Sequence, residues 1–366
     1  MQTLLSGSTI GILGGGQLAR MTALKAAQLG FRVHVFCASA DEPAVSVCAK
    51  HTLASFEDEA ALKAFAKSVD VVTLEWENVP LKALDIIAQT TPVFPAASVL
   101  RVTQDRGLEK RFTREAGLGT APFAIVTSAE ELQKAADAIR LPAILKTTRM
   151  GYDGRGQIKI ERKEDLTQAW DKLAAPQAIL EGFVPFEKEI AVIVCRRADG
   201  AMALYPPVHT VQRNHILAEA YVPAGLTDEV EQEALAMAAQ LATHFHLVGL
   251  LVVEMFVLEK PDAQGRHVLM NEMAPRPHNA GHWSLDACAC SQFEMLVRAI
   301  AGLPLGSTVP HSRARMLNIL GQDLGKSIGW LSDPKACLHL YGKKEPRNNR
   351  KMGHVTFLEG PWVEAL

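Results

Sequence analysis

Apolar residues in this chain come in short runs punctuated by glycine, and the runs alternate between strand and helix periods. Thr9–Leu13 is a continuous apolar run of strand length, Gly14-Gly15-Gly16 a turn, and Gln17–Leu29 carries Leu18, Met21 and Leu24 at helical spacing. Gly30 suits the position just past a helix end, and Phe31–Phe36 reads as the next strand. This is a β-α-β unit with a glycine-rich first turn. Val69–Leu74 predicts a third, buried strand, and Pro92–Pro95 a short fourth that closes a first unit near residue 100. A helix from Gln104 to about Gly117 follows, with Arg106 and Lys110 on one face. Ser128 and Glu131 form a capping-box pattern that opens a helix to about Ile139. Pro142–Lys146 and Ile158–Ile160 predict two strands around a glycine-rich loop. Gln177–Leu180 and Ile190–Cys195 are further strands, Leu226–Phe245 is an amphipathic helix, and Phe293–Ile300 is a core helix. Gly302–Ser307 turns into a small C-terminal part.

The stretch from Leu251 to His282 organises the rest. Leu251–Leu258 and His267–Met270 are apolar and strand-forming, and Lys260–Gly265 between them has turn chemistry. Folding this hairpin about Ala263 in simple register sets Glu254 opposite Glu272 on one sheet face. Two like charges directly opposite destabilise a sheet. A hard cation between them removes the conflict, and magnesium takes few carboxylates while sharing its shell with water and phosphate oxygens. The alternative is a slipped register with both acids solvated. Asn271 adds an oxygen donor, and Arg276, His278, Asn279 and His282 follow within a few residues. Pro275 and Pro277 keep that polar, cationic loop out of a helix, so it suits a small anion beside a metal-bound phosphate.

Composition narrows the class without naming a reaction. With 366 residues the chain has room for two or three domains, and its net charge of −2 offers no general attraction for nucleic acid or an acidic membrane. The six cysteines include no C-x-x-C pair and no zinc-type spacing with histidine. No apolar run reaches the roughly 18 residues of a membrane span. A soluble, cytoplasmic protein in a reducing compartment is expected.

Four further stretches carry candidate chemistry. Glu75 and Glu77 lie at the carboxyl end of the third predicted strand, where open α/β sheets bind ligands; a solvated loop is the other reading. Lys146 ends the strand before TTRMGYDGRGQ, whose Gly151, Gly154 and Gly156 allow close backbone approach to phosphates. Glu181-Gly182-Phe183-Val184, with Glu187 and Glu189 beyond, suits an adenine hinge and a ribose acid. The tail Leu340–His354 concentrates Lys343, Lys344, Arg347, Arg350 and Lys351, either a solvated basic loop or a phosphate clamp. The first β-α-β unit tempts a dinucleotide reading. Cys37 stands where that site needs an acid for the ribose, so the glycines are read as a tight turn whose N–H groups cradle a substrate phosphate.

Taken together, GILGGGQLARM, EWENV, KTTRMGYDGRGQ, LEGFVPFEKEIAV, NEMAPRPHNAGH with SQFE, and YGKKEPRNNRKMGHV resemble the ATP-grasp ligases. Among them the chain is similar, over almost its whole length, to the carboxyaminoimidazole ribonucleotide synthases of purine biosynthesis. The resemblance implies a mixed α/β and α+β fold in three parts. These are a Rossmann-like pre-ATP-grasp domain over 1–103, an ATP-grasp domain over 104–303 with a lid at about 122–184, and a small C-terminal domain over 304–366. It also implies that ATP, bicarbonate and aminoimidazole ribonucleotide give the carboxyamino product, ADP and phosphate, in a homodimer. Carried over by position, ATP contacts fall on Arg106, Lys146, Gly151, Tyr152, Asp153, Gly154, Arg155, Gly156, Gln157, Glu181, Gly182, Phe183, Val184, Glu189, Gln212, Asn271 and Glu272. Mg2+ falls on Glu254 and Glu272. The carboxylating centre falls on Arg276, His278 and Asn279. The ribotide falls on Glu75, Tyr152, Asp153, Arg155, Lys343, Arg350 and Lys351. The chain departs from the family at Gln212, where histidine is common, at Ala280, where serine is usual, and at Cys37, where an acid is common. A formate-using or biotin carboxylase-like acceptor, a nicotinamide oxidoreductase and a non-catalytic ATP sensor are the other readings; the tail, Cys37 and the intact Lys146, Glu254 and Glu272 respectively argue against them.

Overall fold

The computed structural model describes residues 3–151 and 156–362. Its first sheet is parallel, with spatial order β3-β2-β1-β4, from β1 (Thr9–Leu13), β2 (Arg32–Cys37), β3 (Lys50–Leu53) and β4 (Val71–Leu74). The central strands are apolar without alternation because helices cover both faces. Those helices are α1 (Gln17–Gln28), α2 (Glu59–Ala66) and α3 (Leu81–Ala88). Helix α1 buries Leu18, Met21, Ala23 and Ala26, while Leu24, expected on that face, is exposed. The expected fourth strand at Pro92–Pro95 is a single bridge, Val72 to Val93. The helix expected from Gln104 to about Gly117 forms as α5 (Arg106–Glu115), and an additional helix, α4 (Ala97–Thr103), precedes it. The chain breaks at Asp105, whose carboxylate caps α5 by accepting from the Gly107 and Leu108 N–H groups.

A second, antiparallel sheet has the order β5-β8-β6-β7, with β5 (Phe123–Val126), α6 (Ala129–Ile139), β6 (Ala143–Thr147), β7 (Gln157–Ile160), α7 (Leu166–Leu173) and β8 (Ala178–Gly182). Ser128 caps α6 through the Glu131 N–H, but the Glu131 carboxylate reaches Thr127 at 2.7 Å instead of closing the box on Ser128. Leu132, Leu145, Leu166 and Leu180 join the two helices to this sheet. Strand β8 extends through Glu181 and Gly182, which were expected to follow it.

The third sheet has nine strands. They are β9 (Phe186–Arg196), β10 (Met202–Leu204), β11 (Val208–Arg213), β12 (Ile216–Val222), β13 (Gly249–Leu258), β14 (Val268–Ala274), β15 (Ser312–Leu320), β16 (Ala336–Leu340) and β17 (Lys351–Pro361). The order is β14-β13-β9-β11-β12-β15-β17-β16, with β10 against β9. Helix α8 (Asp228–His244) packs on Leu251, Val253 and Val192. The short α9 (Ser284–Ala287) and α10 (Gln292–Ile300) lie on the opposite face with Leu250, Val252 and Ile193. The strand period of two therefore turns Glu254 to the α10 side, toward the first sheet. The C-terminal strands continue this sheet through β12 and β15 rather than forming one of their own. Among the described residues no helix is long and apolar enough to cross a membrane.

Candidate active site

Glu254 stands directly opposite Glu272 in the β13–β14 ladder, as the folding of the hairpin about Ala263 predicts. The simple register ends there. Beyond a bulge, Met255 pairs with Met270, so Asn271 is the extra residue. A bulge re-aims side chains and ends regular pairing, a common device beside active sites. One face of α5 grips it. Arg106 Nη1 lies 3.0 Å from Glu272 Oε2, Lys110 Nζ donates to the Asn271 carbonyl at 2.9 Å, and the Glu109 carboxylate accepts from Met273 N–H at 2.6 Å. Residues three and four apart share a helix face, which is why one turn can hold three successive strand residues.

Carboxylates and cations are densely interleaved here. Burial pushes the Glu254 carboxyl up to about 8, and the Glu272 and Glu189 charges add to that. Burial is the largest influence on Glu272 and opposes its charge, but Arg106, Lys146 and Lys110 together hold that carboxyl below its usual range. Lys146 Nζ lies 2.8 Å from Glu181 Oε2, and the fully buried Lys110 lies 3.7 Å from the same oxygen. Burial works against Glu181 ionisation, yet these two ammoniums bring its carboxyl down to about 2. Its other oxygen, Oε1, is buried and has no hydrogen-bond partner among the described residues. Two opposed acids with a third nearby, all hard oxygen donors, fit a divalent cation.

The glycine-rich segment is fastened to the same helix. Arg106 donates through Nη2 to the Gly151 carbonyl at 3.3 Å, its N–H bonds Thr148, and Arg149 pairs with Asp105 at 3.1 Å. Gly156 has a φ of 71°, and Gln157 pairs with Lys146 across β6–β7. Tyr152, Asp153, Gly154 and Arg155 lie outside the described residues. Phe183 projects at the end of β8, half exposed, whereas Val184 is buried against Ala121 and Leu269. Glu189 sits between Phe256 and Thr210 on neighbouring strands. Gln212 pairs with Leu217 just beyond the bulge of the β11–β12 pair, where Ala218 is the extra residue.

The loop after β14 closes the opposite wall. Arg276 forms an ion pair with Glu77, and Glu75 and Glu272 also stabilise its charge against burial. His278 Nε2 lies 3.1 Å from Glu254 Oε1; burial, Arg276 and Lys351 keep this imidazole neutral, so the contact is a hydrogen bond rather than an ion pair. Asn279 is buried, and neither its amide oxygen nor its nitrogen has a partner among the described residues. Such groups are costly in an apolar surrounding, so a polar ligand is their natural complement.

The expected phosphate cradle at the first glycine turn is used differently. Gly16 N–H donates to Glu75 at 3.0 Å and Gly15 N–H to Glu42 at 2.9 Å. A Cβ on Gly16 would fall 2.6 Å from the Glu75 carboxylate, so glycine here admits the acid. The basic tail arrives beside it. Lys343 donates to the Lys351 carbonyl at 2.8 Å, and burial together with Arg350 pushes its ammonium down to about 8, against the pull of Glu75. The Lys351 charge is felt by Glu254 and His278. Arg350 points to the Glu345 carbonyl at the rim. A separate cavity of about 400 Å³, lined by Arg213, Glu219, Arg315, Asn318 and Trp330 among others, shares none of these residues.

Glu109, Lys110 and Glu42 are the members that sequence reasoning missed. Lys110 is legible on the Arg106 face but not in its role. Glu42 stands five residues beyond β2, and nothing in the sequence shows that its carboxylate reaches back to the Ala38, Ser39 and Gly15 N–H groups.

Family models match three parts of the chain. Residues 111–293 match the ATP-grasp domain, residues 7–104 the ribonucleotide synthetase preATP-grasp domain, and residues 314–365 the phosphoribosylaminoimidazole carboxylase C-terminal domain. The class is thus an ATP-grasp ligase with a pre-ATP-grasp domain before it and that C-terminal domain after it. An N5-carboxyaminoimidazole ribonucleotide synthase of Brucella melitensis is 44% identical over 357 residues, spanning 97% of both chains. The bifunctional purine synthesis protein purC/E of Dictyostelium discoideum is 43% identical, but this chain spans only 37% of its length. The structure of an N5-carboxyaminoimidazole ribonucleotide synthetase with ADP superposes with a TM-score of 0.93 at 40% identity, covering 98% of this chain and 94% of that one. An Aspergillus clavatus N5-carboxyaminoimidazole synthase in complex with ADP and 5-aminoimidazole ribonucleotide gives 0.89 at 32% identity, over 96% and 94%. The chain belongs to the N5-carboxyaminoimidazole ribonucleotide synthase family.

Proposed function

We propose that this chain carboxylates 5-aminoimidazole ribonucleotide with bicarbonate at the expense of ATP, giving 5-(carboxyamino)imidazole ribonucleotide, ADP and phosphate in purine biosynthesis. The observation that carries the reading is the meeting of three walls: the opposed Glu254 and Glu272, the Lys146–Glu181 pair, and the Arg276–His278 loop. Bicarbonate is a poor electrophile with a poor leaving group. Its oxygen attacks the γ-phosphorus, ADP leaves, and carboxyphosphate results. The ribotide amine then takes the carboxyl carbon, directly or as carbon dioxide, and phosphate leaves. Glu254 and Glu272 would hold magnesium, which neutralises phosphate charge when bound.

Around that centre, Lys146 and Arg106 face the ATP phosphates, Glu181–Val184 and Glu189 take the nucleoside, and the 151–157 segment is assigned to ATP. Arg276 faces the transferring anion, where a fixed cation stabilises charge as it develops. His278 orients bicarbonate or moves its proton, and the unsatisfied Asn279 amide binds it. Glu75 and Lys343 lie where the ribotide would rest, with Lys351 and Arg350 on its phosphate side. The segment at about 122–184 is read as a lid that excludes water, because water would destroy carboxyphosphate. Labelled bicarbonate should appear in the ribotide product one-for-one with ADP; label absent from the ribotide while ADP accumulates would refute the acceptor.

Lys351→Ala should raise the Michaelis constant for the ribotide about tenfold while leaving that for ATP within about twofold, since a phosphate contact is lost from one substrate only. Equal effects would move Lys351 out of the ribotide site. A second expectation concerns protons. Burial and neighbouring carboxylates raise Glu254 to about 8, so at pH 7 the cation-free site holds a proton there. Cation binding must expel it, so magnesium affinity should rise with pH by up to about tenfold per unit and level off above about 8. Calorimetry in buffers of different ionisation heat should find close to one proton released at pH 7 and fewer at pH 9. No release at pH 7 would contradict the assignment of Glu254.

The reading includes a homodimer in the cytoplasm. The free state of all six cysteines suits a reducing compartment. Sedimentation at micromolar concentration tests the dimer.

A further inference from the structure

Behind the Arg276–His278 loop lies Gln292, the first residue of α10, which is completely buried. Among the described residues assigned to a substrate, its hydrogen bonds reach His278, and they reach it twice. Its Oε1 accepts from the His278 backbone N–H at 2.9 Å, and its Nε2 donates to the His278 carbonyl at 2.7 Å. These two bonds fix the amide's orientation, because the flipped form would set N–H against N–H and oxygen against oxygen. The second Nε2 hydrogen is then directed at His282 Nδ1, 3.0 Å away. His282 must accept at Nδ1 and carry its own proton on Nε2. Burial and the nearby cations His339, Lys351 and Arg276, where charged, all favour the neutral ring.

The side chain is itself immobilised. Gln292 N–H donates to Ser284 Oγ at 3.0 Å, and that hydroxyl donates to the Gly281 carbonyl at 2.6 Å. A Cβ on Gly281 would fall 2.7 Å from Gln292 Oε1 and 2.4 Å from Ile193, so glycine at 281 is what lets the amide reach the loop. On the other side His278 Nδ1 faces the Ala280 N–H at 3.4 Å, leaving Nε2–H to donate to Glu254. Further back, Asp286, His339 and His354 offer ligand atoms within 4.8 Å of one another. That spread exceeds the roughly 3.3 Å between donors of four-coordinate zinc. Asp286 already holds His339 at 3.0 Å, and this group forms the wall behind His282.

We propose that Gln292 is a positioning residue for carboxylation: it clamps both main-chain groups of His278 and fixes the tautomer of His282, and thereby sets the reach of the His278 imidazole to Glu254 and the reacting anion. The inference rests on the functional reading above for what His278 does. The clamp acts on the chemical step and not on substrate capture, because the side-chain bonds of Gln292 run to His278 and His282. A misplacement of about 1 Å in a reacting group costs about 10²-fold in rate.

The test compares full-length Gln292→Met, which keeps the volume and loses every bond, with Gln292→Glu, which keeps the acceptor but sets an oxygen against the His278 carbonyl. Ser291→Ala serves as the structural control, since the Ser291 hydroxyl caps the same helix through the Glu294 N–H. Both Gln292 variants are expected to lose about 10²-fold in turnover, with Michaelis constants for ATP and ribotide within about twofold. Ser291→Ala is expected to lower Tm and keep the parent turnover. Nitrogen NMR of labelled histidine should show His282 protonated on Nε2 alone in the parent, and a changed ring signal in Gln292→Met. Parent-like turnover in Gln292→Met overturns the proposal, as does an equal loss in Ser291→Ala or a His282 proton on Nδ1 in the parent. If a Gln292 variant does not fold, the parent tautomer still decides. If the parent has no ribotide-dependent turnover, the functional reading falls, while the histidine signals still decide the clamp.

Discussion

Glu272→Gln is expected to reduce ADP release by at least about 10³-fold while leaving the fold intact. That loss corresponds to about 4 kcal/mol of transition-state stabilisation. The carboxylate stands opposite Glu254 and 3.0 Å from Arg106, so it serves the cation site and orients a phosphate-facing guanidinium at once. Glutamine keeps the shape and an oxygen but removes the charge that a divalent cation requires. The fold should survive because Glu109 and Glu181 still compensate Arg106, and because removing the Glu272 charge relieves both Glu254 and Glu109, whose carboxyls it raises. The informative measurement is phosphate and ADP release against magnesium concentration, with Tm measured alongside. Parent-like turnover would remove Glu272 from the cation site. Lost turnover with a collapsed Tm would make the residue structural instead.

Arg276→Ala should be nearly as damaging, at about 10³-fold in product formation, and should differ in kind. Arg276 is anchored by Glu77, and Glu75 and Glu272 sustain its charge against burial, so a fixed cation faces the cleft in the free enzyme. A preoriented cation is worth most where negative charge develops during the reaction. Its removal should therefore lower kcat more than it raises the Michaelis constant for ATP. It should also raise the ratio of phosphate released to carboxylated product above one, as unprotected carboxyphosphate meets water. Arg276→Lys should recover little, because an ammonium cannot reproduce the forked geometry that both Glu77 and a planar anion engage. A pure loss of ATP affinity at unchanged kcat would place Arg276 on the nucleotide instead.

The parts of this fold that sequence exposed are those governed by local rules. The Glu254–Glu272 juxtaposition was legible because a short turn and a period of two constrain the register. The bulge at Asn271 was not, because apolar Leu269, Met270 and Met273 continue on either side of it without a glycine or proline to mark the insertion. Strand β3, with the sequence KHTL, gave no signal: as an exposed edge of a parallel sheet it needs neither alternation nor an apolar run. Helix α4, just before the expected one, gave no helical signal because its β-branched Val99, Val102 and Thr103 lack helix preference. Contacts that bridge distant segments were the least legible. Nothing near Glu109 points to Met273, nothing near Gln292 points to His278, and the joining of β15 to β12 depends on partners some hundred residues apart. Candidate residues could be found by type and spacing, whereas the groups that hold them in place could be found only in three dimensions.

The most direct test is ADP release by the full-length enzyme with magnesium and ATP, adding or omitting bicarbonate and aminoimidazole ribonucleotide in all four combinations. Turnover should require the ribotide and be stimulated by bicarbonate. ATP turnover indifferent to the ribotide would contradict the proposed acceptor, and no turnover in any combination would contradict a catalytic role.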